Sequence, residues 1–138
     1  MTLPQTKKTK QKVQVVTIAE NCVLLLQFAK DRGEGFQNIT GSVEDDESFL
    51  EAARREMVEE IGIADNVVDI NLSFTFFDRW GSDVLEKVFL YHPNKKPPIT
   101  ISNEHQSYKW KSLQETTKED FAYPTNFEAL QKAMEFCR

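Results

Sequence analysis

Residues 41–63 read GSVEDDESFLEAARREMVEEIGI, and they contain the strongest helix signal in the chain. Ser48, followed three residues later by Glu51, forms a capping box of the kind that begins a helix. Gly62 is the residue type that ends a helix in the left-handed conformation. The pattern therefore predicts a helix over residues 49–61. We expect its apolar residues to face a β-sheet; they are Leu50, Ala53, Met57 and Ile61.

Three carboxylates also lie along this helix. Glu56, Glu59 and Glu60 are separated by spacings of three and four residues, so they fall within an arc of roughly 100° beside the apolar face. Like charges placed in this way repel each other. The simplest alternative is therefore a solvated acidic helix, compensated by Arg54 and Arg55.

The entry to the helix favours a metal site instead. Gly41 allows the backbone to turn tightly after a short strand, and the carbonyl of Thr40 can point at the same space as the glutamates. Carboxylate and carbonyl oxygens are the ligands that hard divalent cations prefer. The pattern thus predicts a site for Mg²⁺, with Mn²⁺ as a substitute, and not for zinc.

The residues of this segment resemble the Nudix box, in which a glycine, a glutamate and an Arg-Glu-hydrophobic-x-Glu-Glu-x-Gly-hydrophobic run stand at fixed spacing. Nine positions match: Gly41, Glu47, Arg55, Glu56, Met57, Glu59, Glu60, Gly62 and Ile63. Fixed identities at fixed spacing are far more specific than a lone glycine motif. The resemblance implies an α/β/α sandwich, with a mixed β-sheet between helices.

The same resemblance implies the roles of the residues. Glu56 and Glu60 are expected to be metal ligands, and Glu59 a further ligand or a base. Arg55 is expected to orient the glutamates together with Glu47, and the Thr40 carbonyl to complete the site. The implied reaction is the attack of a metal-activated water on an internal phosphorus of a phosphoanhydride.

The rest of the chain fits this architecture. Strands are predicted at 13–19, 23–28 and 36–40 before the first helix and at 67–78, 84–91, 99–102 and 108–110 after it, and a second helix follows them. A second capping box, Thr125 with Glu128, predicts the start of the last helix. Residues 1–12 are predicted to form a basic tail, and residues 13–138 a single domain.

The second half of the chain offers a further base. Glu104 precedes His105 directly before Tyr108-Lys109-Trp110, and the stretch 36–44 reads FQNITGSVE. These strings resemble the dihydroneopterin triphosphate pyrophosphohydrolases within the Nudix family. That resemblance implies that Glu104 is a catalytic base or a metal ligand, and that His105 contacts the substrate.

Two departures from this subfamily fall where the substrate should lie. Phe28 occupies a position where the subfamily would have a phosphate-binding arginine, and the 79–83 turn is short. In that turn, Trp80 is predicted to stack on a heterocyclic ring, and Arg79 to contact a phosphate.

Composition narrows the function classes. The formal net charge of −5 and the pI near 5.1 argue against nucleic acid as a partner. No apolar run is long enough to span a membrane, and no signal peptide is recognisable, so a cytoplasmic protein is expected, as a monomer or homodimer.

The leading prediction is an enzyme that cleaves a small nucleoside-triphosphate-like molecule, dihydroneopterin triphosphate or a (d)NTP, to a monophosphate and pyrophosphate. The alternatives are hydrolysis of dinucleoside polyphosphates or RNA 5′ pyrophosphates, and a Nudix-fold binding module without activity.

Overall fold

The computed structural model describes residues 9–28 and 35–137. The strands and helices follow one another in nearly the predicted order. The strands are β1 (Lys10–Ala19), β2 (Cys22–Phe28), β3 (Phe36–Gln37), β4 (Ile39–Ser42), β5 (Val68–Phe77), β6 (Asp83–Tyr91) and β7 (His105–Ser112). The helices are α1 (Phe49–Ile61), a short 3-10 helix (Lys118–Asp120) and α2 (Pro124–Phe136).

The strands of the described residues form one mixed sheet. Its main path runs β3-β2-β1-β6-β5, while β4 also pairs with β1 and β7 with β2. β1 and β6 are parallel, and the other pairs are antiparallel. Within that part of the chain, no helix is long and apolar enough to cross a membrane.

Strand β1 divides the hydrophobic core into two halves because successive side chains of a strand point to opposite faces. Val13 and Val15 pack in the cluster that contains the buried face of α1. Val16 and Ile18 pack in the other cluster, together with residues of α2. One helix therefore covers each face of the sheet, which confirms the predicted sandwich.

Helix α1 begins and ends as predicted. Both hydrogen bonds of the Ser48–Glu51 capping box are present, and Gly62 adopts a left-handed φ of 74°. Ala53, Met57 and Ile61 are buried, but Leu50 is 45% exposed, so its predicted packing against the sheet is wrong. Periodicity identifies the face of a helix that packs, but not how far the sheet extends beneath the first turn.

Other elements also differ from the prediction, among them β7, which runs from His105 to Ser112 and not over 108–110. β1 starts at Lys10, and Lys10–Lys12 pair with β6; of the predicted tail, residues 1–8 lie outside the described residues. Residues 99–102 are not a strand. The backbone amide of Thr100 donates to the Ile61 carbonyl (3.0 Å), and that of Ser102 donates to the Glu60 carbonyl (3.3 Å). This segment therefore supplies hydrogen-bond donors to the last carbonyls of α1.

Helix α2 begins at Pro124, one residue before the predicted Thr125 cap. Proline suits the first turn of a helix because its missing N–H would have no intrahelical partner there. The capping box of this region is instead formed by Thr117 and Asp120, at the 3-10 helix.

Candidate active site

Arg55 is the centre of a network of charged side chains at the start of the site. Its Nε donates to Glu47 Oε2 (2.7 Å) and its Nη2 to Glu47 Oε1 (3.0 Å), which is a two-pronged ion pair. The hydrogen bond to Arg55 holds the pKa of Glu47 below its ordinary value. Glu47 precedes α1 and Arg55 lies within it, so the pair fixes the acidic loop against the helix.

The remaining guanidinium hydrogens of Arg55 reach the other glutamates. Nη1 donates to Glu56 Oε1 (2.9 Å) and to Glu59 Oε2 (3.1 Å), and Nη2 donates to the Ser42 carbonyl (2.7 Å). The predicted orienting role of Arg55 therefore has the geometry it requires. Burial nevertheless raises the pKa of Glu56, against the opposing influence of Glu60 and Arg55.

Glu60 is the buried member of the cluster, with a side chain only 4% exposed. Burial, a hydrogen bond with Glu56, and the negative charges of Glu56, Glu104 and Glu59 together raise its pKa to about 10. Its Oε2 has no hydrogen-bond partner among the described residues. The site therefore contains a carboxylate that is unfavourable as an anion unless a cation is supplied.

His105, the first residue of β7, lies against this carboxylate. Its Nε2 is 2.9 Å from Glu60 Oε1, and its side chain is 1% exposed. The Phe28 ring stacks on the imidazole, with centroids 5.9 Å apart. The structure thus places His105 behind the glutamate cluster, in contact with Glu60.

Glu104 lies at the same cluster from the other half of the chain. Its side chain is exposed, and its backbone amide donates to Ser102 Oγ (3.3 Å). Its charge is among those that raise the pKa of Glu60, so Glu104 lies near the α1 glutamates; its role as a base or a metal ligand stays a prediction.

Gly41 leaves room for the Glu56 side chain, which lies directly against its backbone. A Cβ at this position would overlap the Glu56 side chain, including its carboxylate carbon. The last residues of β4 and the glutamate helix therefore touch at Gly41, and only glycine allows this approach.

No group of three or more His, Cys, Asp or Glu side chains is arranged to hold a metal ion within the described ranges. Instead, the Arg55 guanidinium bonds to the Glu56 and Glu59 carboxylates. The assignment of Glu56, Glu59, Glu60, Glu104 and the Thr40 carbonyl as ligands stays a prediction.

The described residues also form a cavity of about 1140 Å³. Three of the four predicted substrate contacts line it: Thr40, Arg79 and Trp80. The Arg79 guanidinium lies 4.4 Å from the centroid of the Trp80 ring, so the two side chains stack on each other. Thr40 precedes Gly41 in β4, so the cavity and the glutamate cluster are separated by a single strand.

Sequence reasoning missed the polar floor of this cavity. Gln37, Glu86 and Asn126 line it, and all three are buried. Gln14 Nε2 donates to Glu86 Oε1 (2.9 Å). The signal was present, because Glu86 shares the parity of the inward-facing Val84, Val88 and Leu90 in β6.

With this geometry in place, similarity to known proteins can be stated. The family model described as NUDIX domain matches residues 8–133, and the chain belongs to this family. It superimposes on an E. coli dihydroneopterin triphosphate pyrophosphohydrolase with a TM-score of 0.79 and 25% identity, over 91% of this chain and 97% of the other. A C. elegans Ap4A hydrolase gives a TM-score of 0.80 and 23% identity, over 94% and 98% of the two chains, which shows the fold.

Among curated proteins, an octanoyltransferase from Myxococcus xanthus is 30% identical over 91 residues, which is 64% of this chain. The chain spans about a quarter (26%) of the length of that protein. The match to the family model and the superpositions confirm the family and the fold expected from residues 41–63.

Proposed function

We propose that this protein is a divalent-cation-dependent pyrophosphohydrolase that cleaves a nucleoside-triphosphate-like substrate into a monophosphate and pyrophosphate. The observation that carries the proposal is the buried carboxylate of Glu60, whose pKa is raised to about 10 by burial and by three neighbouring glutamates. Several ionised carboxylates are unfavourable in such a position without a counterion. A bound cation would offset the cost of keeping them ionised together.

The residues fit Mg²⁺ or Mn²⁺. The donors are all oxygens, which these hard cations prefer, and Glu60 Oε2 is a buried acceptor without a partner in the described part of the chain. Glu60 and the adjacent Glu56 would hold the metal. Glu59, Glu104 and the Thr40 carbonyl would supply further oxygen ligands.

The metal would supply Lewis acidity, which lowers the pKa of a bound water and neutralises charge on the phosphates. The chain's own residues do the rest. Arg55 keeps Glu56 and Glu59 in place through bonds of 2.9 and 3.1 Å. His105 holds Glu60, and the exposed Glu104 accepts the proton of the attacking water.

The position of the cavity and the names of the relatives support the substrate class. Thr40 lines the cavity and the next residue of β4, Gly41, touches Glu56, so a phosphate chain that extends from a ring in the cavity past β4 would reach the glutamates. The similar E. coli protein is named a dihydroneopterin triphosphate pyrophosphohydrolase, which agrees with this substrate class. The Myxococcus protein is named an octanoyltransferase, but this chain spans only 26% of it, so we do not propose acyl transfer for this chain.

The experiment is a hydrolysis assay with Mg²⁺ over nucleoside triphosphates and dihydroneopterin triphosphate, with both products identified. Pyrophosphate and a monophosphate in equal amounts are expected, and complete chelation should abolish turnover. Orthophosphate as the product, or turnover that survives chelation, would contradict the proposal.

Glu104→Gln tests the assignment of the base. We expect kcat to fall with little change in KM, because the base acts on water and not on the bound substrate. Glu115→Gln makes the same charge change at an exposed position away from the cavity, and it should leave kcat unchanged. An unchanged kcat in Glu104→Gln would remove Glu104 from the mechanism.

A further inference from the structure

The floor of the cavity presents a carboxylate held in one orientation. Glu86 is 5% exposed, and its Oε1 accepts from Gln14 Nε2 (2.9 Å). Gln14 is itself fixed, because its Oε1 accepts from the side-chain Nδ2 of Asn38 (2.7 Å). Asn38 is fixed in turn, because its backbone N–H donates to Asn126 Oδ1 (2.8 Å). The chain of amides ends on Glu86 Oε1 and so holds this carboxylate at the floor of the cavity in one orientation.

A second acceptor lies in the same floor. Gln37 lines the cavity, is 1% exposed, and its Oε1 has no hydrogen-bond partner among the described residues. A buried acceptor without a donor is unfavourable, and most such groups in proteins are satisfied by a partner or a ligand. Burial also raises the pKa of Glu86, although the Lys12 charge opposes this effect.

The mouth of the cavity is aromatic. Phe77, Trp80 and Tyr123 line it and are 73%, 66% and 50% exposed, whereas aromatic side chains of this size are usually buried. Exposed rings around an otherwise polar floor are suited to a flat ligand that stacks against them and presents its edge to the floor.

We propose that the cavity selects a planar heterocycle whose edge carries two adjacent N–H donors, a ring N–H beside an amino group, which Glu86 and Gln37 accept. Guanine and pterin rings have this edge. Adenine and cytosine present a ring acceptor beside the amino group, and uracil presents a single N–H between two carbonyls. The inference deepens the proposed function by naming the base of the nucleotide-like substrate, and to that extent rests on it.

Calorimetric titration of the full chain with guanosine and inosine monophosphates, without divalent metal, tests the inference independently of hydrolysis. The two ligands differ only in the amino group, so losing a hydrogen bond to a charged acceptor should weaken inosine binding about tenfold or more. In Glu86→Gln the ratio of the two affinities should fall toward one, while the Glu115→Gln control should keep the wild-type ratio.

Equal affinity of the wild-type protein for the two ligands would overturn the inference, whether or not Glu86→Gln folds. An unchanged affinity ratio in a folded Glu86→Gln protein would also overturn it.

Turnover separates this inference from the proposed function. A tenfold or greater preference in kcat/KM for guanosine triphosphate over inosine triphosphate supports the inference, and equal kcat/KM values overturn it while leaving the hydrolase intact. If no triphosphate is cleaved, the proposed function fails, and the two binding affinities still decide whether the cavity selects the amino group.

Discussion

The Nε2 atom of His105 lies 2.9 Å from Glu60 Oε1, and this contact joins residues 45 positions apart in the chain. Both side chains are almost completely buried. β7 begins at His105, while Glu60 is the penultimate residue of α1. The first residue of β7 therefore contacts the buried carboxylate of α1 directly.

The first prediction concerns this contact. When a side chain that hydrogen-bonds to a metal ligand is removed, metal affinity or activity typically falls about 10- to 100-fold. We expect His105→Ala to raise the Mg²⁺ concentration needed for half-maximal activity by at least about tenfold. The KM for the triphosphate, measured at saturating Mg²⁺, should change much less. His105→Gln should restore part of the metal affinity because its amide nitrogen reaches about the position of Nε2 and can still bond to Glu60.

His92→Ala serves as the control for removal of an imidazole, since His92 is exposed and contacts Cys137. It should leave both quantities unchanged. If His105→Ala instead raises the KM and leaves the Mg²⁺ requirement alone, His105 is a substrate contact, as the sequence resemblance first implied.

The second prediction compares two adjacent arginines. Arg55 bonds to Glu47, Glu56 and Glu59, while the neighbouring Arg54 is exposed. Lysine keeps the charge but cannot make the forked bonds of a guanidinium. Arg55→Lys should lower the free energy of unfolding by about 1–3 kcal/mol, as measured by urea denaturation, and should lower kcat. Arg54→Lys should change neither, and equal effects of the two substitutions would show that the network contributes nothing.

The third prediction is a pH dependence of the metal-free protein. The pKa of Glu60 is about 10 in the folded state and near 4.5 in the unfolded chain. The folded state therefore binds this proton more tightly, so the contribution of Glu60 to stability is present below pH 4.5 and is lost as pH rises toward 10. We expect the melting temperature to fall between pH 5.5 and 8.5, with a slope on the order of 1 kcal/mol per pH unit in the free energy of unfolding.

The carboxylates with lowered pKa values, such as Glu47 and Asp78, act below this window and do not mask the effect. Mg²⁺ should stabilise the protein more at pH 8.5 than at pH 5.5, because it binds the ionised carboxylate. Glu60→Gln should flatten the pH dependence. A wild-type melting temperature that is constant or rises across this window would show that Glu60 is ionised at neutral pH without a metal.

Much of the fold could be predicted because its strongest signals are local. The Ser48–Glu51 box and Gly62 limit α1 correctly, since capping depends on residues within one turn of the helix end. The polar start of β1 at Lys10 was missed because its pairing with β6 is a long-range contact with no local apolar pattern. Residues 99–102 were misread as a strand for a related reason: Ile99 and Ile101 pack on the α1 core while their backbone serves the helix end.

The candidate site divides in the same way. Glu56, Glu59 and Glu60 share one helix, so their spacing alone places them together, and the fixed pattern adds Arg55 and Glu47. The role of His105 behind Glu60 and the floor formed by Glu86 and Gln37 depend on how distant strands meet. A charged residue at an inward-facing position of β6 was the one local sign of that floor.

The central claim is that the buried Glu60 carboxylate holds a catalytic cation, and the most direct measurement is kcat for pyrophosphate release by Glu60→Gln at saturating Mg²⁺ and substrate. The amide keeps the size of the side chain and removes its charge. We predict a folded protein with a kcat lowered about 100-fold or more, which corresponds to about 3 kcal/mol of transition-state stabilisation. The Glu115→Gln control should keep the wild-type rate. A folded Glu60→Gln protein with a kcat within about twofold of the wild type would contradict the account.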